Sequence, residues 1–212
     1  MAGSWHILII AKYIVEYRMK GRFIVLYASN NLGKSKQLDL LEEAWQEIGR
    51  PYKRIKYPRY DSEFGRILNR ELRGPVEERL NLTDEELQML FAEDRRYYQP
   101  RLMEVLKEKD VLAEDYTGTG LAWGLTKGVL REKLDTYNFG LLEPDLAILL
   151  DGERFSGGTE RGHRFEVAGQ EVWERNREIH RKLAFELGWE VVEAGGSPEM
   201  VHERVMRVIR EN

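Results

Sequence analysis

The stretch Phe23-Ile24-Val25-Leu26-Tyr27-Ala28-Ser29-Asn30-Asn31-Leu32-Gly33-Lys34-Ser35 decides the fold. It opens with a continuous apolar run, Phe23 to Ala28, the pattern of a strand buried on both faces of a parallel sheet. Ala28 to Ser35 then departs at a single position from the phosphate-loop pattern G-x-x-x-x-G-K-[S/T]. From Lys34 a helix is predicted over about 34–48, because Leu38, Leu41, Ala44, Trp45 and Ile48 recur at helical spacing and Gly49 suits a C-terminal cap. A loop that enters a helix aims backbone N–H groups and the positive end of the dipole at an anion. Ser29, Asn30, Asn31, Leu32, Gly33, Lys34, Ser35 and Lys36 are therefore the expected phosphate cradle. In such a loop Lys34 reaches the β- and γ-phosphates of ATP and the Ser35 hydroxyl ligates Mg²⁺. Ala28 stands where the pattern has its first glycine, and a Cβ restricts backbone dihedrals. Alanine is the smallest such departure, so the loop is expected to work in slightly altered form.

Outward from the loop, strands and helices alternate. Tyr52 to Tyr57 is a second predicted strand, closed by Pro58, and a helix follows over 63–72. Thr83 and Glu86 have the spacing of a capping box, opening a helix towards Lys107 with a kink expected at Pro100. Strands are predicted at 111–113, 144–150 and 189–192, and helices at 172–187 and 198–209. This alternation implies an α/β fold, a parallel sheet of about five strands flanked by helices on both faces. Residues 1–20 read as an N-terminal extension, with Met19 as the expected natural start, and residues 21–212 as one domain. The Gly-rich, Arg-bearing segment 152–169 interrupts the alternation.

Composition removes several classes of function. The net charge is −4, with acids and bases mixed along the whole length, which does not suit a nucleic-acid polymer. A mononucleotide needs only a few local cations and stays open. The chain has no cysteine, and none of its four histidines forms a close pair, so a zinc enzyme is a poor reading. The apolar run Ile7 to Ala11 stops at Lys12, too short to span a membrane, and a cytoplasmic location is expected.

Five further segments, in order behind the loop, resemble the thymidylate kinase family of P-loop NTPases from Gly21 to the C-terminus. They are Tyr57-Pro58-Arg59-Tyr60; Leu90-Phe91-Ala92-Glu93-Asp94-Arg95; Glu114-Asp115-Tyr116 with Thr119-Gly120-Leu121-Ala122-Trp123; Pro144 through Asp151; and His163-Arg164-Phe165-Glu166. The resemblance implies an ATP- and Mg²⁺-dependent kinase that phosphorylates a nucleoside monophosphate, foremost dTMP to dTDP, as a homodimer. Carried over residue by residue, it places Asn30, Arg59, Tyr60, Phe91, Arg95, Thr119 and Trp123 around the acceptor nucleotide. Phe91 would stack on the base and Arg95 would hydrogen-bond its edge. Glu114 joins Ser35 at the metal. The resemblance makes the segment 152–169 a LID that closes over a bound nucleotide, and Lys34 with the LID arginines Arg154, Arg161 and Arg164 the candidates for transition-state charge. Adenine would rest near 194–197, and Trp45 with Tyr97 and Tyr98 would offer apolar surface to a second copy.

Three departures stand out. Asn30 replaces a family carboxylate that faces the sugar, and Trp123 replaces a tyrosine beside it. Asp115 occupies the place of an arginine that bridges donor and acceptor phosphates, a charge reversal at the reaction centre. A kinase for another nucleotide or nucleoside, or a nucleotide-binding protein that has lost transfer, therefore remains an alternative.

Overall fold

The computed structural model describes residues 20–155, 163–165 and 169–212. Five parallel strands make the sheet: β1 (Phe23–Tyr27), β2 (Tyr52–Lys56), β3 (Asp110–Glu114), β4 (Leu146–Asp151) and β5 (Glu190–Glu193). Their spatial order is β2-β3-β1-β4-β5. Helices α1 (Lys34–Glu47), α2 (Glu63–Arg73), α3 (Asp84–Leu106), α4 (Thr117–Thr126), α5 (Arg131–Asn138), α6 (Gln170–Leu187) and α7 (Pro198–Glu211) connect and cover it.

The apolar run around β1 is buried along its whole length and divides its side chains by parity. Ile24, Leu26 and Ala28 pack with Leu38, Leu41 and Trp45 of α1 and with Val201, Val205 and Ile209 of α7. Phe23, Val25 and Tyr27 pack on the opposite face with Leu102 and Leu106 of α3. Each such leucine stabilises the fold by about 2 kcal/mol on leaving water. Trp45 is therefore core, not dimer surface: it is 3% exposed, and its indole N–H donates to Asp110 Oδ2 at 2.8 Å. The capping box forms, with Thr83 N–H donating to Glu86 Oε2 at 2.8 Å and Glu86 N–H to Thr83 Oγ1 at 3.2 Å. Pro100 lies within one continuous helix, α3.

Element ends fall within a few residues of the expected ones, but two helices, α4 and α5, were not expected. β1 pairs β3 on one side and β4 on the other. The chain thus winds from β1 towards β2 first and later crosses to β4 and β5. In an open parallel sheet this reversal leaves a crevice at the carboxyl ends of the central strands.

Candidate active site

At that crevice the loop between β1 and α1 turns through two left-handed residues, Asn31 (φ 64°) and Gly33 (φ 82°). Successive main-chain N–H groups in such a turn form an anion-binding concavity at the start of α1. Ala28 is not among the residues with positive φ, so its Cβ carries no backbone strain and the missing glycine is tolerated. Lys34 is 8% exposed; its ammonium donates to Ala28 O at 2.9 Å, folding back across the loop. Ser29 turns the other way: its hydroxyl donates to Asn176 Oδ1 of α6 at 3.0 Å, leaving its main chain to the phosphate side.

The last residue of β3 and its successor bring two carboxylates to this loop. Ser35 Oγ donates to Glu114, 2.9 Å from each carboxylate oxygen, and Lys56 Nζ approaches Oε1 at 2.7 Å. Burial pushes the Glu114 carboxyl up, but Lys56, Lys34 and the Ser35 hydroxyl outweigh it and hold the group below its ordinary value. Asp115 takes a left-handed backbone (φ 62°) and lies 3.5 Å from Lys34 Nζ, while Thr119 Oγ1 donates to its Oδ1 at 2.7 Å. Burial raises its pKa, against the pull of Lys34, and the neighbouring Glu114 charge raises it further. A hydroxyl beside an ionised carboxylate is an oxygen donor set that suits Mg²⁺.

From this charged end a cleft of about 410 Å³ runs to an aromatic pocket. Asn30, Tyr60, Phe91, Arg95, Thr119 and Trp123 all line it. Trp123 stacks on Phe165 with ring centroids 4.5 Å apart and planes 13° apart, and both rings line the pocket. Arg95 is 4% exposed and its Nη1 donates to Asn138 Oδ1 at 2.8 Å. Gly120 makes room for it, since a Cβ there would stand 2.5 Å from Arg95 Nη2.

Other expected residues are placed elsewhere. Arg59 does not line the cleft: its guanidinium lies 3.8 Å above the Tyr98 ring and pairs with Asp61 at 2.8 Å. Arg73, which the sequence reading passed over, lines the cleft instead and sits 4.5 Å from the Tyr60 ring. Arg164 is a clamp rather than a group poised over phosphates. It pairs with Glu71 at 2.6 Å and Asp84 at 3.1 Å, and its N–H donates to Leu72 O at 2.9 Å. Arg154 borders the described part of the LID, and Arg161 and Glu166 lie outside the described residues. Ala194 to Ser197 lies between β5 and α7, beside α1, whose Gln37 amide donates to Pro198 O at 2.9 Å. Lys56, Gln88 and His163 also line the cleft without having been expected there. Of these only Gln88 left a signal, lying one helical turn before Phe91 on the same helix face.

Comparison with known proteins gives one consistent result. The family model described as thymidylate kinase matches residues 12–205. A thymidylate kinase of Pelotomaculum thermopropionicum is 30% identical over 207 residues, covering 91% of this chain and 94% of that protein. The human thymidylate kinase is 27% identical over 203 residues, covering 91% of each. Among solved structures, the thymidylate kinase of Candida albicans superposes with a TM-score of 0.77 at 19% identity, covering 91% of this chain and 92% of that one.

Proposed function

The chain belongs to the thymidylate kinase family, and we propose that this cleft transfers the γ-phosphoryl group of ATP to the phosphate of dTMP, giving dTDP and ADP. The observation that carries this reading is the joining of a phosphate loop and an aromatic base pocket in one cleft, with Lys34 and Glu114 between them.

Phosphoryl transfer demands little covalent help and much positioning and charge neutralisation. The main chain of residues 29–36 holds the donor phosphates, and Lys34 leaves Ala28 O to meet them. Ser35 and Glu114 would hold Mg²⁺, which when bound would supply positive charge to offset that of the phosphates. Phe91 and Trp123 flank the acceptor base and Arg95 meets its edge. Asp115 adds negative charge where phosphates must gather, so cations lining the same cleft have to offset it. Lys36, Lys56 and Arg73 line it and are the candidates. The LID arginines Arg154 and Arg161 remain candidates for the transition-state charge, while Arg164 serves to seat the LID. Exposed Met89, Tyr97 and Met103 on one face of α3 support a homodimer through that helix. Among the described residues no helix is long and apolar enough to cross a membrane. A cytoplasmic site of action accords with ATP and a nucleoside monophosphate as substrates.

The test is incubation of pure protein with ATP, Mg²⁺ and each common monophosphate in turn, following diphosphate formation. Lys34→Ala serves as the blank for contaminating kinase. Lys34-dependent dTDP, formed faster than other diphosphates, is expected; loss of about 100-fold or more in rate accompanies K34A. The Lys34–Asp115 pair favours a second reading, nucleotide binding without transfer. ATP binding with no acceptor phosphorylated would select it.

A further inference from the structure

Gln88, Phe91 and Arg95 fall at i, i+3 and i+7 on α3 and all line the cleft. They share one helix face, with about 10 Å of helix rise between the outer two and Phe91 between them. A flat base resting on Phe91 therefore has Gln88 towards one edge and Arg95 towards the other. Both outer side chains are almost fully buried, at 3% and 4% exposure. Gln88 Nε2 and Arg95 Nε have no hydrogen-bond partner among the described residues. Buried donors are nearly always satisfied, and each one left alone is a standing penalty on the empty protein. A Cβ at Gly124 of α4 would strike Leu134 at 2.5 Å and press on Gln88 Cγ at 3.2 Å, so this glycine sets the packing around Gln88.

We propose that Gln88 is a base-reading residue, its amide N–H₂ and the Arg95 guanidinium each donating to one ring carbonyl of a 2,4-dioxopyrimidine. The inference rests on the acceptor-site reading above, which already gives Phe91 and Arg95 to the base; Gln88 is the addition. Thymine and uracil offer a carbonyl at both positions. Cytosine carries an amino group at one of them, so a donor would face a donor and a buried group would stay unpaired. Such a mismatch separates substrates more sharply than a difference of one methyl group does.

The experiment uses the whole chain and three ligands, dTMP, dUMP and dCMP, titrated by calorimetry and assayed for turnover with ATP. Wild type is compared with Gln88→Met, which keeps length and removes the donor. Gln88→Asn, which keeps the amide and withdraws it, is the second variant should the first fail to fold. Either variant is expected to bind dTMP and dUMP about tenfold more weakly, through KM more than kcat. Binding of an ATP analogue should stay within about twofold; a dCMP affinity that holds assigns Gln88 to the 4-position, where cytosine has its amino group, and one that falls with dTMP assigns it to the shared 2-carbonyl. Affinity and preference unchanged in both variants would overturn the proposal, as would a wild type that binds dCMP as well as dTMP. If wild type prefers dTMP, the variants lose that preference and no dTDP forms, the transfer reading fails while base reading by Gln88 stands.

Discussion

Asp115 shows how much one residue can alter around an intact motif. Its backbone is held in the left-handed region by Leu26 O, which accepts its N–H at 3.2 Å, and its side chain by Thr119. That conformation costs a non-glycine residue about 1 kcal/mol, and aspartate tolerates it better than most. Its carboxylate competes with nucleotide phosphates for Lys34. Asp115→Asn keeps the acceptor for Thr119 and drops the charge. It is expected to tighten ATP binding severalfold in a fluorescent-nucleotide titration, whereas unchanged affinity would mean that Lys34 leaves the pair at no cost. The loop itself was legible in the sequence, because its chemistry is local: eight consecutive residues between a strand and a helix. The pairing of Lys34 with Asp115 was not, since it spans 81 positions and depends on β3 lying beside β1. Ala28 was legible only as a departure; that its φ does not need glycine is a property of the folded backbone.

Helix α4 explains why the acceptor site was harder to read than the donor site. Its sequence Thr-Gly-Thr-Gly-Leu-Ala-Trp-Gly argues against a helix on propensity, each glycine costing up to about 1 kcal/mol relative to alanine. Packing overrides propensity here, because the glycines admit neighbours that a Cβ would strike: Trp189 at Gly118, Arg95 at Gly120 and Leu134 at Gly124. The helix is thus carved to admit large side chains of other elements, Arg95 to the cleft and Trp189 and Leu134 to the core, and no local signal announces that. Gly120→Ala should displace the Arg95 guanidinium while its propensity gain offsets part of the strain. A dTMP KM raised about tenfold is expected, with a melting temperature shifted by only a few degrees. A large fall in melting temperature with KM unchanged would make Gly120 a folding residue alone. Trp45 errs in the opposite direction: its helical spacing was read correctly, but not the buried Asp110 that claims its N–H.

At the scale of the whole molecule, α6 ties donor and acceptor halves together. Ser29 of the phosphate loop donates to Asn176 Oδ1, and the Asn176 amide donates to Thr126 of α4 at 3.0 Å. His180 stands one turn further along, 1% exposed, with Nδ1 against Asn176 O at 3.0 Å and no partner for Nε2 among the described residues. Burial holds its pKa down to about 3. The unfolded chain therefore binds a proton below about pH 6.5 that the folded chain refuses, and stability falls as pH drops from there towards 3. Between pH 7 and pH 5 this single group should remove roughly 2 kcal/mol in urea unfolding. His180→Leu should lack that contribution, and an equal pH dependence in both proteins would assign the loss elsewhere. The α/β class was legible because alternation is a periodic signal, while the strand order, with β1 at the centre, is set by packing the sequence does not spell out. The LID end, pinned to Leu72 by its main chain and lying on Trp123 through Phe165, has a kinetic meaning. A ring seated beneath Phe165 is enclosed, whereas the donor phosphates meet the loop at the other end of the cleft. The two substrates are therefore expected to exchange at different rates and turnover to follow an order, the acceptor entering first, which initial rates with both concentrations varied would check.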